Sequence, residues 1–375
     1  MTKEAMTVTP WEVKGIVDYQ KLIKEFGTQP LSEDLIKSIE KKAGRSHHFL
    51  RRKIFFSHRD LDLLLQEFAA GKEFALYTGR GPSGKTHLGH MIPWFFCKYL
   101  QDAFDAHFYF QITDDEKFMY QPSLSLEETN SLAYDNALDL IALGFNPKKT
   151  HIIIDTEYGK TMYKLAIQIA KKITASQAKA VFGFNDTTNI GMYFWPSMQA
   201  VPCILPSVLQ KKSIRALIPA AIDQDPFWRV ARDVVPKLGF PKPAAFHNIF
   251  LPSLLGPQGK MSTSEGQHAT IFTTDTPEIV AQKIKKYAFS GGKDTLKEHR
   301  EKGGNPDIDM SYRWLTFFEE DDKKLKDIYE NYKSGSLLSG ELKQILIDKL
   351  NIFLTDHQKK REKAKKDLDK FLLKD

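Results

Sequence analysis

The amino-acid sequence predicts an α/β fold: a doubly wound parallel sheet followed by a domain built of helices alone. Two observations carry this. Between residues 74 and 239, short apolar runs of strand length alternate with amphipathic helical stretches, the pattern of parallel βα units. Beyond Thr276 the strand-like runs stop and only a helical period remains.

Residues 1–70 read as an N-terminal extension of helices, with room for a hairpin. Residues 74–78 (FALYT) form a first buried strand, 107–113 (HFYFQIT) a second and 151–156 (HIIIDT) a third. Ser125-Leu126-Glu127-Glu128 is a capping box that starts a helix, and the apolar run after it stops at Gly144. Another amphipathic helix covers 162–173. Residues 214–222 (IRALIPAAI) make a further buried strand, followed by a helix from Asp225 toward Gly239. Ligands of such sheets sit at the carboxyl ends of strands, where Tyr77, Gln111 and Asp223-Gln224 fall. The expected domains are therefore an extension (1–70), a sheet domain (71–275) and a helical domain (276–375).

Composition narrows the class. The chain has 375 residues, 42% hydrophobic and 27% charged, which is ordinary for a soluble globular protein with a sizeable core. No apolar run approaches the ~18 residues of a membrane helix. The opening residues MTKEAMTVTPWEVKG carry neither a secretory nor a transit pattern, so the expected compartment is the cytoplasm. Cys97 and Cys203 are the only cysteines and have no nearby partner, which argues against disulfides and cysteine-held zinc. The net charge of +7 favours a polyanionic partner only weakly. The end, HQKKREKAKKDLDKFLLKD, is a cationic amphipathic stretch that reads equally as a solvated helix face or a nucleic-acid contact.

Residues 79–90, GRGPSGKTHLGH, satisfy two nucleotide-binding patterns at once. Gly79, Gly84, Lys85 and Thr86 complete a Walker A motif, and Ile152-Ile153-Ile154-Asp155 resembles a Walker B strand. In that reading the helix opens at Lys85-Thr86 and Pro93 falls about two turns inside it, at a cost of ~3 kcal/mol. Pro82 also removes a backbone N–H from a loop that binds phosphate through such groups. In the other reading, His87-Leu88-Gly89-His90 is the ATP signature of class I aminoacyl-tRNA synthetases. The helix then starts around Gly89-His90 and Pro93 lies in or near its first turn, where a missing donor costs little. Two histidines at a helix N-terminus can donate to a triphosphate. Alone, H-x-x-H is as readily a pair of core histidines. The second signature decides: Lys260-Met261-Ser262-Thr263-Ser264 follows LLGPQG, and a lysine with three hydroxyls on a glycine-flanked loop can close over a leaving pyrophosphate.

From about Trp11 to the basic tail, the chain resembles the tryptophanyl-tRNA synthetases of the archaeal and eukaryotic cytoplasmic branch, class I enzymes with a Rossmann-like catalytic domain. The resemblance rests on HHFLRRKIFFSHRD (47–60), YTGRGPS (77–83), QITDDEK (111–117), GFNDTTNIG (183–191), PSMQAVP (196–202), IPAAIDQDPFWR (218–229), KMSTS and residues 298–325. Thr263 departs from the usual KMSAS. The resemblance implies ATP-dependent activation of L-tryptophan and its transfer to tRNA(Trp), by a cytoplasmic homodimer whose helical domain reads the anticodon. It implies that Tyr77 and Gln111 accept from the indole N–H, while Glu116, Gln199 and Gln224 hold the amino and carboxylate groups. Arg80, Gly81, His87, Gly89 and His90 would contact ATP, with Lys260, Met261, Ser262 and Ser264 of the second signature; His87, His90, Lys260 and Ser262 would be catalytic. Mg²⁺ would accompany ATP and pyrophosphate, with no protein ligand assigned. An indole offers one donor on a large apolar body, so an aromatic pocket ending in acceptors suits it and penalises phenylalanine. Tyrosine, which also carries a donor, is harder to exclude. The alternatives are a tyrosyl-tRNA synthetase, a P-loop NTPase using Lys85, Thr86 and Asp155, and an RNA-binding protein with a vestigial nucleotide fold.

Overall fold

The computed structural model describes residues 6–9, 13–261 and 266–375. A hairpin opens it, β1 (Thr7–Val8) against β2 (Val13–Lys14). The main sheet has seven strands: β3 (Gln29–Pro30), β4 (Phe55–Arg59), β5 (Phe74–Arg80), β6 (His107–Ile112), β7 (Thr150–Ile154), β8 (Arg215–Ala221) and β9 (Ala244–Asn248). Their order is β3-β4-β9-β8-β5-β6-β7. The five strands from β9 to β7 run parallel, while β4 and β3 add antiparallel pairs at one edge. The parallel sheet expected from the sequence is thus its centre, and residues 29–59 of the N-terminal extension supply two further strands.

Period-2 alternation sorts the strand residues onto two cores. Leu76, Phe108, Phe110 and Ile152 face one side with the Leu88–Phe104 helix. Tyr77, Tyr109 and Ile153 face the other, against the Gly159–Ala170, Ile190–Ala200 and Asp225–Val234 helices. The Ser125 capping box forms as expected, and Gly144 takes the left-handed conformation just past the helix end. The helix after the phosphate-like loop begins at Leu88, slightly earlier than expected. Pro93 therefore lies inside it rather than in its first turn.

Chain order places β6 and β7 on one side of β5 and β8 on the other. That reversal opens a crevice at the carboxyl ends of β5, β6 and β8. Beyond Thr276 the described chain is helical: Pro277–Tyr287, Leu296–Lys302, Met310–Phe318, Asp322–Lys333 and Ser339–Ala364. The last of these docks on the sheet domain through His357 and Arg361, which meet Asp139 at 2.9 and 3.2 Å. Residues 371–373 then run beside β7, with the Ile152 N–H donating to Phe371 O at 2.7 Å.

Candidate active site

The crevice at the switch point is a cavity of about 500 Å³. Its floor is the carboxyl end of β5 and the loop that follows. Arg80, the last residue of that strand, is buried, and its guanidinium donates to the carbonyls of Gly84 and Lys85 at 2.8 and 3.0 Å and to Asn136. Its remaining amino group, Nη1, is buried without a partner. The arginine thus occupies the inside of the loop where a P-loop would cradle phosphate. Gly81 crowds Glu116 and Lys117, since a Cβ there would lie 2.1 Å from Lys117 Cε.

His87 caps the Leu88–Phe104 helix, and its ring stacks on His90 with centroids 3.4 Å apart. Burial, reinforced by Arg80, holds both imidazoles well below their ordinary value, so both are neutral. His90 Nδ1 accepts from the His87 backbone N–H at 3.2 Å, which leaves Nε2 as the protonated, donating nitrogen. Gly89 is what lets the rings stack: a Cβ there would sit 3.1 Å from the His87 ring and 3.6 Å from Met261 Cβ. The second signature therefore packs directly against the first. A bridge between His87 and Phe272 and a bond from Thr273 N–H to Thr86 O pin the following segment in place. Lys260 reaches into the crevice and pairs with the buried Asp223 at 2.5 Å. Ser262 and Ser264 lie outside the described residues.

The other half of the cavity is aromatic, lined by Trp195, Phe227 and Trp228, which share one core cluster with Tyr77. Trp228 meets Tyr77 edge to face at 5.4 Å. At this end the Tyr77 hydroxyl donates to Gln111 Oε1 (2.6 Å) or to the Gln199 carbonyl (2.9 Å). Burial pushes the Tyr77 phenol far up, so it stays protonated. Gln199 lines the cavity as well, and its Oε1 is buried without a partner. Glu116 is held by Lys117 (2.9 Å) and Thr113 (3.3 Å), and Gln224 lines the same space.

Every described residue that the synthetase resemblance nominated lines this one cavity: Tyr77, Arg80, Gly81, His87, Gly89, His90, Gln111, Glu116, Gln199, Gln224, Lys260 and Met261. Lys85 lines it too, but Asp155 does not: its carboxylate faces the Gln111 amide at 2.9 Å. The sequence reading missed Lys117, Trp228 and the role of Asp223 as counter-ion to Lys260. QITDDEK and IPAAIDQDPFWR contain all three, so position next to a nominated residue was the available signal.

A doubly wound sheet with HLGH and the KMSTS lysine on one crevice defines a nucleotide-activating enzyme, and the family model for class I tRNA synthetases (W and Y) matches residues 69–355. The chain belongs to that family. Among curated relatives, the tryptophan--tRNA ligase of Saccharolobus solfataricus is 54% identical over 363 residues, covering 96% of this chain and 94% of the relative. That of Sulfurisphaera tokodaii is 55% identical over 361 residues, covering 96% and 93%. Among solved structures, a product-bound parasite tRNA synthetase superimposes with a TM-score of 0.90 at 47% identity over 95% of this chain and 96% of that one. The Plasmodium falciparum tryptophanyl-tRNA synthetase gives 0.88 at 46% identity, covering 95% and 97%. Within the family the chain falls with the tryptophan--tRNA ligases, and neither the tyrosine-specific nor the P-loop alternative is favoured.

Proposed function

We propose that this crevice performs both steps of tryptophan--tRNA ligation with the residues just described. The tryptophan carboxylate attacks the α-phosphorus of ATP in line; the bond to the β-phosphate oxygen breaks and pyrophosphate leaves. A ribose hydroxyl at the 3′ end of tRNA(Trp) then attacks the adenylate carbonyl and AMP departs. No covalent enzyme intermediate is needed, so the protein contributes position and charge.

The indole enters the aromatic end and its N–H meets the Tyr77 oxygen and Gln111 Oε1. Glu116 and the unpartnered Gln199 Oε1 accept from the ammonium, and Gln224 donates to the carboxylate. Neutral His87 and His90 donate to the triphosphate without adding charge, while Lys260 leaves Asp223 to meet charge that develops on pyrophosphate. Arg80 shapes the loop beneath, with Nη1 free for the nucleotide. Mg²⁺ would arrive chelated by the phosphates, as part of the substrate. Among the described residues, no cluster of three or more His, Cys, Asp or Glu is arranged to hold a metal.

The division into an extension, a sheet domain and a helical domain follows the same reading. The helical part takes the anticodon, whose unstacked bases suit edge and stacking recognition. Exposed Lys359, Lys363 and Lys366 suit its backbone. A homodimer is supported by the exposed apolar residues Tyr163, Ile167 and Ile190 on neighbouring helices, Ile190 being 88% exposed. No helix among the described residues is long and apolar enough to cross a membrane, and the proposed compartment is the cytoplasm.

The carrying observation is that Met261 packs on Gly89, which brings two signatures some 170 positions apart onto one cavity. Pyrophosphate exchange tests it. Lys260→Ala should lower tryptophan-dependent exchange by about 10²–10³-fold, the usual loss for one transition-state donor. Lys85→Ala should cost less than about tenfold. The reverse ranking, or exchange driven by tyrosine, overturns the reading.

A further inference from the structure

A pocket that ends in acceptors still leaves tyrosine to be excluded, since a phenol can both accept and donate. The answer lies one layer behind the cavity. A glutamine amide has two ends that occupy nearly the same shape, so Gln111 offers either an acceptor or a donor to the pocket, depending on which way it turns. Its Nε2 donates to both carboxyl oxygens of Asp155 at 2.9 Å. That leaves Oε1 toward the cavity, 2.6 Å from the Tyr77 hydroxyl. The hydroxyl proton is then taken by Oε1 or by the Gln199 carbonyl, and the phenol oxygen is left with lone pairs only. Turned the other way, the amide would set an N–H₂ group beside the substrate, repelling an indole N–H and accommodating a phenol oxygen.

Resting on the proposed indole site, we propose that Asp155 is a specificity-determining positioning residue: by locking the Gln111 amide, it makes the pocket end an acceptor and selects tryptophan over tyrosine. Its place supports this. Asp155 immediately follows β7, is 1% exposed and lines no part of the cavity, so it acts only through Gln111. Burial and then the neighbouring Asp115 carboxyl push it well above the usual carboxylate range, and the two carboxyls share a hydrogen bond. A proton held between them lets Asp155 stay dry beside a neutral amide without a cation. The same aspartate that completes a Walker B pattern in the sequence thus has a partner and a task that involve no phosphate.

The test compares substrates that differ in the donor. Exchange kinetics with tryptophan, tyrosine and 3-benzothienylalanine, in which sulfur replaces the indole N–H, would be measured for wild type, Asp155→Ala, Asp155→Asn, Gln111→Ala and the double alanine variant. Asp155→Ala should shrink the preference in kcat/KM for tryptophan over both competitors by about tenfold or more, the scale of one misplaced hydrogen bond. It should leave the KM for ATP unchanged. Asp155→Asn, which keeps an acceptor for Nε2, should stay within about threefold of wild type. In the Gln111→Ala background, Asp155→Ala should have no further effect on preference, because the coupling runs through the amide. If the alanine void unfolds the chain, Asp155→Leu, similar in shape but without an acceptor, carries the comparison. Unchanged preference in the alanine or leucine variant, or an additive double variant, overturns the inference while leaving the indole site intact. A wild type that does not distinguish tryptophan from the sulfur analogue, or a Gln111→Ala variant with wild-type preference, overturns the indole site itself.

Discussion

Gly89 shows how closely the nucleotide side is packed. It lies in the second position of a helix, where alanine is favoured by about 0.8–1 kcal/mol. Nothing in its backbone demands glycine. What demands it is the His87 ring, 3.1 Å from where a Cβ would stand, with Met261 behind at 3.6 Å. Gly89→Ala should therefore leave stability unchanged or slightly raised, while it displaces His87 and raises the KM for ATP by about tenfold, since small misplacements at such sites cost 10–100-fold. Urea unfolding alongside ATP-dependent exchange separates the two effects. An unchanged ATP KM would show that the histidine stack has no part in nucleotide binding. Tyr77, Gln111 and the histidines were legible beforehand because their motifs are local. Trp228 as a wall of the pocket and Asp155 as the clamp on Gln111 were not, because their partners lie far along the chain.

At the scale of elements, four of the five parallel strands, β5 to β8, were legible to within two residues because each is a short apolar run between turn signals. Strands β4 (FFSHR) and β9 (AAFHN) were not, because each short apolar run ends in polar residues, Ser57-His58 and His247-Asn248, that the fold buries. Ser57 Oγ and His247 Nδ1 lie 3.1 Å apart, and His247 Nε2 lies 3.2 Å from Asp225, which Arg59 also clasps. Neither pairing can be read from either segment alone. The basic tail divides in the same way. Its lysines face outward, but Arg361 is buried between Asp135 and Asp139, on a helix more than 200 positions earlier. Removing it would leave Asp139 dry with only His357 beside it. Arg361→Ala should cost about 3 kcal/mol, the lower end for breaking a buried pair. Read as a lower urea midpoint, that loss distinguishes an anchoring arginine from a solvated one; a shift below about 0.5 kcal/mol means the helix docks by its apolar face alone.

Across the whole molecule, the many buried imidazoles make the fold acid-sensitive. Seven histidines are held below their ordinary value, in each case chiefly by burial, His47 down to about 3 and His151 to about 4. A depressed histidine contributes stability that is complete above its unfolded value near 6.5 and is lost as pH falls toward its folded value. Two carboxyls act in the opposite sense, Asp115 pushed up to about 7 and Asp155 well above the usual carboxylate range, both first by burial and then by their acidic neighbours. Their contribution is complete at low pH and is lost as pH rises through the folded value. Between about pH 4 and 6.5 the unfolded chain can thus bind up to seven protons that the fold refuses, while the fold keeps at most two that the unfolded chain has shed. The histidines win, and stability should fall steadily as pH drops through that window. Below it Asp225 adds to the loss: burial alone would raise its carboxyl, but Arg59 and His247 hold it well below the usual range. Urea midpoints at pH 7.5, 6.5, 5.5 and 5.0, at constant ionic strength, check the sign. A midpoint that stays flat or rises toward pH 5 means the carboxyl pair outweighs the imidazoles, or that those imidazoles are not dry in the folded protein.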